Sequence, residues 1–542
     1  MSPRERILEP YTRRVNDLPH RLRKTLAVSA ILFVAMVVGF LTAVLPQEFI
    51  VIPLLPLIVL LLVVLWMAPD IDPELDRSVC KLFLLYTGAA LVWPHYVAFV
   101  LPGVGYLTPP RLFLIPMVAV AIYFIATSSR ARGMIADGFN VSSVAKWSFI
   151  FFIVAQAAIT IATNTVNSRW LLGLVIWYFM TVAAVIVFSY EGTVRRFVGL
   201  ILAGVIVVCL SAFAEWTQSY KFWMDWFPPW LQGDPELWNK VMQGSGRAGT
   251  DIYRASGILL TPVTVGEFIA FTAPFTVWYM ITAKTVRDGV IGILVIIALA
   301  LGAWGSYSRT TFVGLIVGLG VFAFLWSIRR HQRSGRTRDL VGPAAVWAFP
   351  VMALLTLLSV LFVGRVRRAV LGGGEHQSSN DARKIQWEKT FDLLERNPIG
   401  YGSGRSPELI GYMNPGRNNY TVDGYYMTLL VDYGILPFLA FVIFFFACVW
   451  VASSTYLRAR TPDEDASVAV ASALTVFLVT KLVSAQTEVN YIMFPVAAMA
   501  LALAARQQRR LMRDEAPPVW QPPARRGVAV PSRPVLGLPR MR

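Results

Sequence analysis

Residues 289–305 read GVIGILVIIALALGAWG, without a single charged side chain. Ser306-Tyr307-Ser308-Arg309-Thr310-Thr311 follows, and a second apolar run occupies 310–328. At about 1.5 Å per residue, runs near 20 residues match the roughly 30 Å of a bilayer's hydrocarbon core. Two runs joined by so short a turn read as neighbouring antiparallel membrane helices.

The pattern repeats in both directions. Spans are predicted at 26–46, 49–68, 82–101, 112–128, 147–164, 170–190, 197–214, 262–282, 289–305, 310–328, 343–363, 427–450, 467–485 and 490–505. The expectation is an all-α polytopic membrane protein of about 14 transmembrane helices within 26–505. A cytoplasmic segment precedes it at 1–25, and a disordered basic, Pro-rich tail follows at 506–542. The first run follows a long basic leader with no small-residue cleavage site, so it reads as an uncleaved anchor.

Composition agrees. Of 542 residues, 56% are hydrophobic and 15% charged, the mean hydropathy is +0.57, and the net charge is +17. A soluble protein this apolar lacks the polar surface to stay in solution, and a nucleic-acid binder would not join this charge to this hydrophobicity. The basic residues fall in alternate connections, such as Arg130, Arg132 and Lys146, then Arg195 and Arg196, then Arg329, Arg330 and Arg333. That is the positive-inside pattern, and with an even number of spans it puts both termini in the cytoplasm. Cys80, Cys209 and Cys448 form no disulfide framework, and the four histidines show no metal-ligand spacing, so no metal or cofactor is expected.

Two long connections, 215–261 and 364–426, fall on the outer side. The first holds Trp216, Trp223, Trp226, Trp230 and Trp238, a density that suits an interfacial segment lying on the membrane. It closes with Arg254-Ala255-Ser256-Gly257 and Thr261-Pro262, and Glu267 lies about a turn inside the next span. An intramembrane carboxylate is costly and has a partner or a role. In the second, the cap cluster Ser378-Ser379-Asn380-Asp381 opens a helix that Asn397-Pro398 stops. Trp387, Phe391 and Leu394 form its apolar face, and Arg383 shares that face. An arginine there suits an anion; the alternative is one that snorkels at the lipid boundary. Gly400, Gly402 and Gly404 permit a turn or close backbone approach. Asp423 is either a helix cap or a carboxylate facing an acceptor hydroxyl. Arg309 is the one basic residue of its short outer turn, so Arg254, Arg309 and Arg383 reach one membrane face from three connections. Arginine forks match phosphate oxygens, and a lipid diphosphate carries its charge at that depth.

These residues resemble the O-antigen ligase / Wzy-type polysaccharide polymerase family. The matching pieces are Arg254-Ala-Ser-Gly with Thr261-Pro262 and Gly266-Glu267-Phe268; Ser308-Arg309-Thr310-Thr311; Arg383-x-x-x-Trp387 with Asn397-Pro398-Ile-Gly400-Tyr-Gly402; and Asp423-Gly-Tyr-Tyr before Tyr433-Gly434. Ligases of this family tend to have a histidine where this chain has Asp423, which points to a polymerase of exopolysaccharide or O-antigen.

The resemblance implies a GT-C-like fold in the bacterial inner membrane and a metal-independent, inverting glycosyltransferase facing the periplasm. Its donor is a glycan on undecaprenyl diphosphate and its acceptor a sugar hydroxyl of a lipid-linked repeat. Membrane lipid and polysaccharide export or chain-length proteins are the further candidate partners; nucleic acid is not one. The implied catalytic residues are Asp423, Arg309 and Arg383. Arg254, Arg309, Arg383, Trp387, Tyr425 and Glu267 would bind diphosphate or glycan, with core packing the alternative for Trp387 and Tyr425. Rival readings are a ligase acting on lipid A-core, a lipid-linked oligosaccharide flippase or transporter, and a structural subunit of a polysaccharide assembly. A flippase has little use for a long outer loop bearing a helix and arginines.

Overall fold

The computed structural model describes residues 74–94, 96–101, 105–232, 238, 241–242, 253–337, 341–362, 364, 377–413 and 420–515. The expected segment 1–25, the first two expected spans and the tail beyond 515 lie outside the described residues.

Helices dominate. α1 (Asp76–Val92) is followed by the hairpin β1 (Phe99–Leu101) and β2 (Gly105–Leu107), then α2 (Pro109–Thr127), α3 (Ser129–Asn140), α4 (Ser143–Ala162), α5 (Trp170–Phe188) and α6 (Thr193–Gln218). After the first long connection come α7 (Pro262–Ile281), α8 (Val286–Ser306), α9 (Arg309–Thr337) and α10 (Val341–Phe362). The second long connection holds α11 (Gln377–Arg396), α12 (Ser406–Ile410) and the antiparallel pair β3 (Tyr412–Met413) and β4 (Tyr420–Thr421). The chain then forms α13 (Tyr425–Tyr433), α14 (Ile435–Leu457), α15 (Pro462–Asp465), α16 (Ser467–Thr480) and α17 (Asn490–Glu515). Helices α2, α3, α4, α7, α8 and α15 each start on a Ser or Thr whose side chain accepts a first-turn N–H.

Among the described residues, seven helices are long and apolar enough to cross a membrane: α2, α4, α5, α6, α8, α14 and Arg309–Ser334 of α9. The protein is thus a mostly helical, multi-pass membrane protein. The fourteen expected spans are not matched one for one. The run at 82–101 becomes α1, which ends at Val92, and the hairpin after it, so two short strand pairs interrupt an all-α expectation. Helix α16 has 14 residues, about 21 Å at 1.5 Å per residue, too short to cross alone. Helix α7 is buried on nearly every face among α6, α8, α9 and α16. Protein, not lipid, surrounds it, so it tolerates Glu267 and the mid-helix Pro274.

The expected span 427–450 is two elements, broken at Gly434 between α13 and α14. The cause is the loop after Asn397-Pro398, which crosses the break with backbone on backbone. Ile435 N–H donates to the Pro398 carbonyl at 3.1 Å, and Tyr401 and Gly402 N–H donate to Val431 and Asp432 carbonyls at 2.9 Å each. A Cβ on Gly434, at φ +76°, would sit 2.3 Å from the Pro398 oxygen; one on Gly400, at φ +105°, would sit 2.7 Å from the Asp432 oxygen. Only glycine fits there.

At the far end, residues 506–515, expected in the tail, continue α17. Arg506 pairs with Asp463 at 3.0 Å, and Arg510 grips Glu464 with Nε and Nη2 at 3.1 and 2.9 Å. These ion pairs extend α17 through residues that read as a basic tail.

Candidate active site

Arg254, Arg309, Arg383 and Asp423 stand at one end of the bundle, where α9 begins and α16 ends. Helix α11 delivers Arg383. Its buried stripe is Gln386, Thr390 and Leu394, not the expected Trp387, Phe391 and Leu394, because Phe391 is 55% exposed and stacks on Trp387 with centroids 5.6 Å apart. Trp387 packs against the small core of Ile410, Met427 and Val431. Arg383, about a turn earlier, faces Asp423, with Nε 3.7 Å from Oδ2. That is ion-pair contact without a hydrogen bond, and the Nε is buried without an acceptor.

Asp423 is held by its backbone. Its N–H donates to Gln386 Oε1 at 3.1 Å, and Gln386 Nε2 donates to the Thr421 carbonyl at 3.0 Å. Burial pushes the Asp423 carboxyl above its ordinary value; Arg383 and the Tyr412 side chain pull it down and do not win. Asp432, two turns on, is a structural anchor. Its carboxylate accepts from Gly404 and Ser406 N–H at 3.0 and 2.8 Å and so fixes the 398–406 loop.

Arg254 is half-buried, with its Nε 3.5 Å from the Ser306 carbonyl, beside the turn that leads to Arg309. Ala255 N–H donates to the Gly305 carbonyl at 3.0 Å. Glu215, wholly buried at the end of α6, secures this segment. It accepts from the Gly257 N–H at 2.7 Å, the Ser256 N–H at 3.2 Å and the Tyr253 hydroxyl at 2.8 Å, and pairs with Lys221 at 3.1 Å. Lys221 Nζ bonds Ser256 Oγ at 2.6 Å and the Gly257 carbonyl at 2.7 Å; burial pushes its ammonium down against the pull of Glu215. Arg309 opens α9 and is exposed.

Below these groups, Glu267 and Lys481 pair at 3.4 Å, both buried. Gly266 brings α7 so close to α9 that an added Cβ would meet Thr311 Oγ1 at 2.5 Å and Ser308 Oγ at 3.0 Å. Both hydroxyls are buried without partners. Tyr425 is 4% exposed, packs on Phe441 at 5.6 Å, and donates its N–H to the Lys481 carbonyl at 3.0 Å. So Glu267 and Tyr425 join the bundle's interior, Arg383 pairs with Asp423, and Arg254 lies beside the turn that leads to Arg309.

Sequence reasoning missed Gln386, Glu215 and Glu488. Glu488 accepts from the Leu260 N–H at 3.2 Å, and burial, with the nearby Glu267 charge adding, pushes its carboxyl up to about 7. Of the expected interfacial tryptophans, Trp226 and Trp230 are exposed at 73% and 58%, while Trp238 is buried against Tyr96.

The fold and these groups define a membrane protein of many helices with guanidinium groups and a carboxylate gathered at one end. Residues 293–442, from within α8 to within α14, match the family model described as O-antigen ligase. The matched stretch contains Arg309, Arg383, Trp387, Asp423 and Tyr425, and supports a polysaccharide-related membrane enzyme. No curated protein matches the chain.

Proposed function

We propose that the protein polymerises a bacterial surface polysaccharide, an exopolysaccharide or O-antigen, at the periplasmic face of the inner membrane. The observation that carries the reading is the Arg383–Asp423 pair at 3.7 Å, fixed by Gln386 at the end of the bundle where Arg254 and Arg309 also stand. An acceptor sugar hydroxyl attacks the anomeric carbon of a glycan on undecaprenyl diphosphate. The new bond forms as the bond to the diphosphate oxygen breaks, and this single displacement inverts the centre. The hydroxyl proton passes to Asp423, whose raised pKa suits a general base. The leaving diphosphate gains negative charge, and the arginine forks stabilise it in place of a metal.

A ligase reading has one observation in its favour, the family's own description. Purified protein given only lipid-linked repeats distinguishes the two. A polymerase lengthens them without lipid A-core; absence of any elongation, together with transfer once lipid A-core is added, would sink the polymerase assignment.

A further inference from the structure

Lys481 caps the end of α16, and its side chain is wholly buried. A buried ammonium is costly to hold unless it is paired. Its Nζ meets Glu267 Oε2 of α7 at 3.4 Å and bonds the Gln486 carbonyl. It also lies 5.5 Å from the Tyr425 ring centroid and 5.2 Å from that of Phe477. The reaction proposed above uses neither Lys481 nor Glu267.

Close backbone contacts tie each partner to a different candidate residue. On one side, the Lys481 carbonyl accepts the Tyr425 N–H at 3.0 Å, and a Cβ on Gly424 would lie 3.0 Å from the Leu482 carbonyl oxygen. Residues 481 and 482 therefore press on the two residues that directly follow Asp423. On the other side, Glu267 follows Gly266. An added Cβ there would meet Thr311 Oγ1 at 2.5 Å, Ser308 Oγ at 3.0 Å and the Thr311 backbone nitrogen at 3.1 Å. Residues 308 and 311 bracket Arg309. The Glu267–Lys481 pair is thus the bridge in a chain of contacts that runs from beside Asp423 to beside Arg309. Apolar packing between α7 and α16 is non-directional, whereas a buried ion pair of fixed reach sets a register.

We infer that Glu267 and Lys481 are positioning residues: their pair sets the spacing between Asp423 and the turn that carries Arg309, so that the proton acceptor and the cation for the leaving diphosphate reach one substrate. The roles of Asp423 and Arg309 rest on the polymerase reading; the spacing rests on the contacts alone.

The test replaces the pair in the full chain by apolar side chains of similar size, Glu267→Met with Lys481→Met. Such a replacement of a buried pair is often neutral for stability, so the unfolding midpoint should stay near that of the parent. Spin labels on Tyr307→Cys and Lys389→Cys read the spacing by double electron–electron resonance. Both positions are exposed, one beside Arg309 and one on α11, which holds Asp423 through Gln386. The native Cys80, Cys209 and Cys448 are buried away from the label. The parent should give one narrow distance distribution and the double variant a broader or shifted one. Its kcat for elongating lipid-linked repeats should fall on the order of 100-fold, with KM little changed. Asp463→Leu with Arg506→Met removes a 3.0 Å pair at the other end of α16 and should leave both spacing and kcat as they are. If the double variant folds poorly, Glu267→Gln, which keeps the shape and drops the charge, carries the same expectations. An unchanged distribution in a folded variant, full kcat beside a broadened one, or equal effects in the control pair overturns the inference. A parent that elongates no repeat counts against the polymerase reading alone, and the distance distribution still decides whether the pair sets the spacing.

Discussion

Gln386 holds Asp423 through the backbone: its amide oxygen accepts the Asp423 N–H at 3.1 Å while its amide nitrogen donates to the Thr421 carbonyl at 3.0 Å. The side chain is 1% exposed and never touches the carboxylate it positions. Gln386→Leu keeps the shape and leaves two backbone groups unpaired, each costing about 1–3 kcal/mol. Transfer should fall on the order of 100-fold, since displacement of a reacting group by about 1 Å costs that much. Polymer made per folded molecule is the measurement. Gln386→Glu, which keeps the acceptor and loses the donor, should retain more activity than the leucine variant; equal activity in both would leave Gln386 without a positioning role.

The Arg383–Asp423 contact predicts a pH profile. The carboxylate is the proton-accepting form and burial raises its pKa, so activity climbs with pH as Asp423 loses its proton. Arg383 favours the charged carboxylate, so Arg383→Gln should push the acidic limb to higher pH as well as lower the maximum. A limb that stays in place, or moves to lower pH, removes Asp423 from the role of base. Arg383→Lys keeps the charge but loses the fork; its limb should stay near that of the parent while its rate falls.

The helix between the 378–381 cap cluster and Asn397-Pro398 was legible, and the structure places it at Gln377–Arg396. The break at Gly434 was not. Residues 427–450 satisfy the length and apolarity of one span, and only the 398–402 loop, more than 30 residues earlier, shows why the helix must part. The supports of the site were hidden for the same reason. Glu215 looks like the frayed end of an apolar run until Tyr253, Ser256 and Gly257 close on it from 38, 41 and 42 residues away. Local period reports which face a residue lies on, and says nothing about which distant backbone it will meet.

Gly434 and Gly400 make the helix break testable. Gly434→Ala would force a Cβ to 2.3 Å from the Pro398 oxygen at φ +76°, where an L side chain is already strained. Strain alone costs on the order of 1–3 kcal/mol, and the clash adds to it. Thermal unfolding should show a lower midpoint for this variant and for Gly400→Ala. Gly289→Ala, where an added Cβ meets nothing within 4 Å, is the control and should leave the midpoint where it is. Comparable loss in all three would mean that the crossing of loop and helix is not what demands glycine.

Glu215 and Lys221 carry the last prediction. Each is almost fully buried, and their 3.1 Å pair closes the segment that presents Arg254. Removing one partner of a buried pair leaves an uncompensated charge, which costs about 3–5 kcal/mol. Glu215→Leu also strips acceptors from the N–H groups of Ser256 and Gly257, so it should destabilise the protein more than Lys221→Met does. The double variant should recover part of the loss from Glu215→Leu, because no lone ammonium remains, yet it should not regain transfer activity if the segment no longer holds Arg254 beside the Ser306 carbonyl. Unfolding midpoints and polymer yield, measured on the same preparations, separate the two effects. Full activity in the double variant would show that Arg254 needs no such anchor.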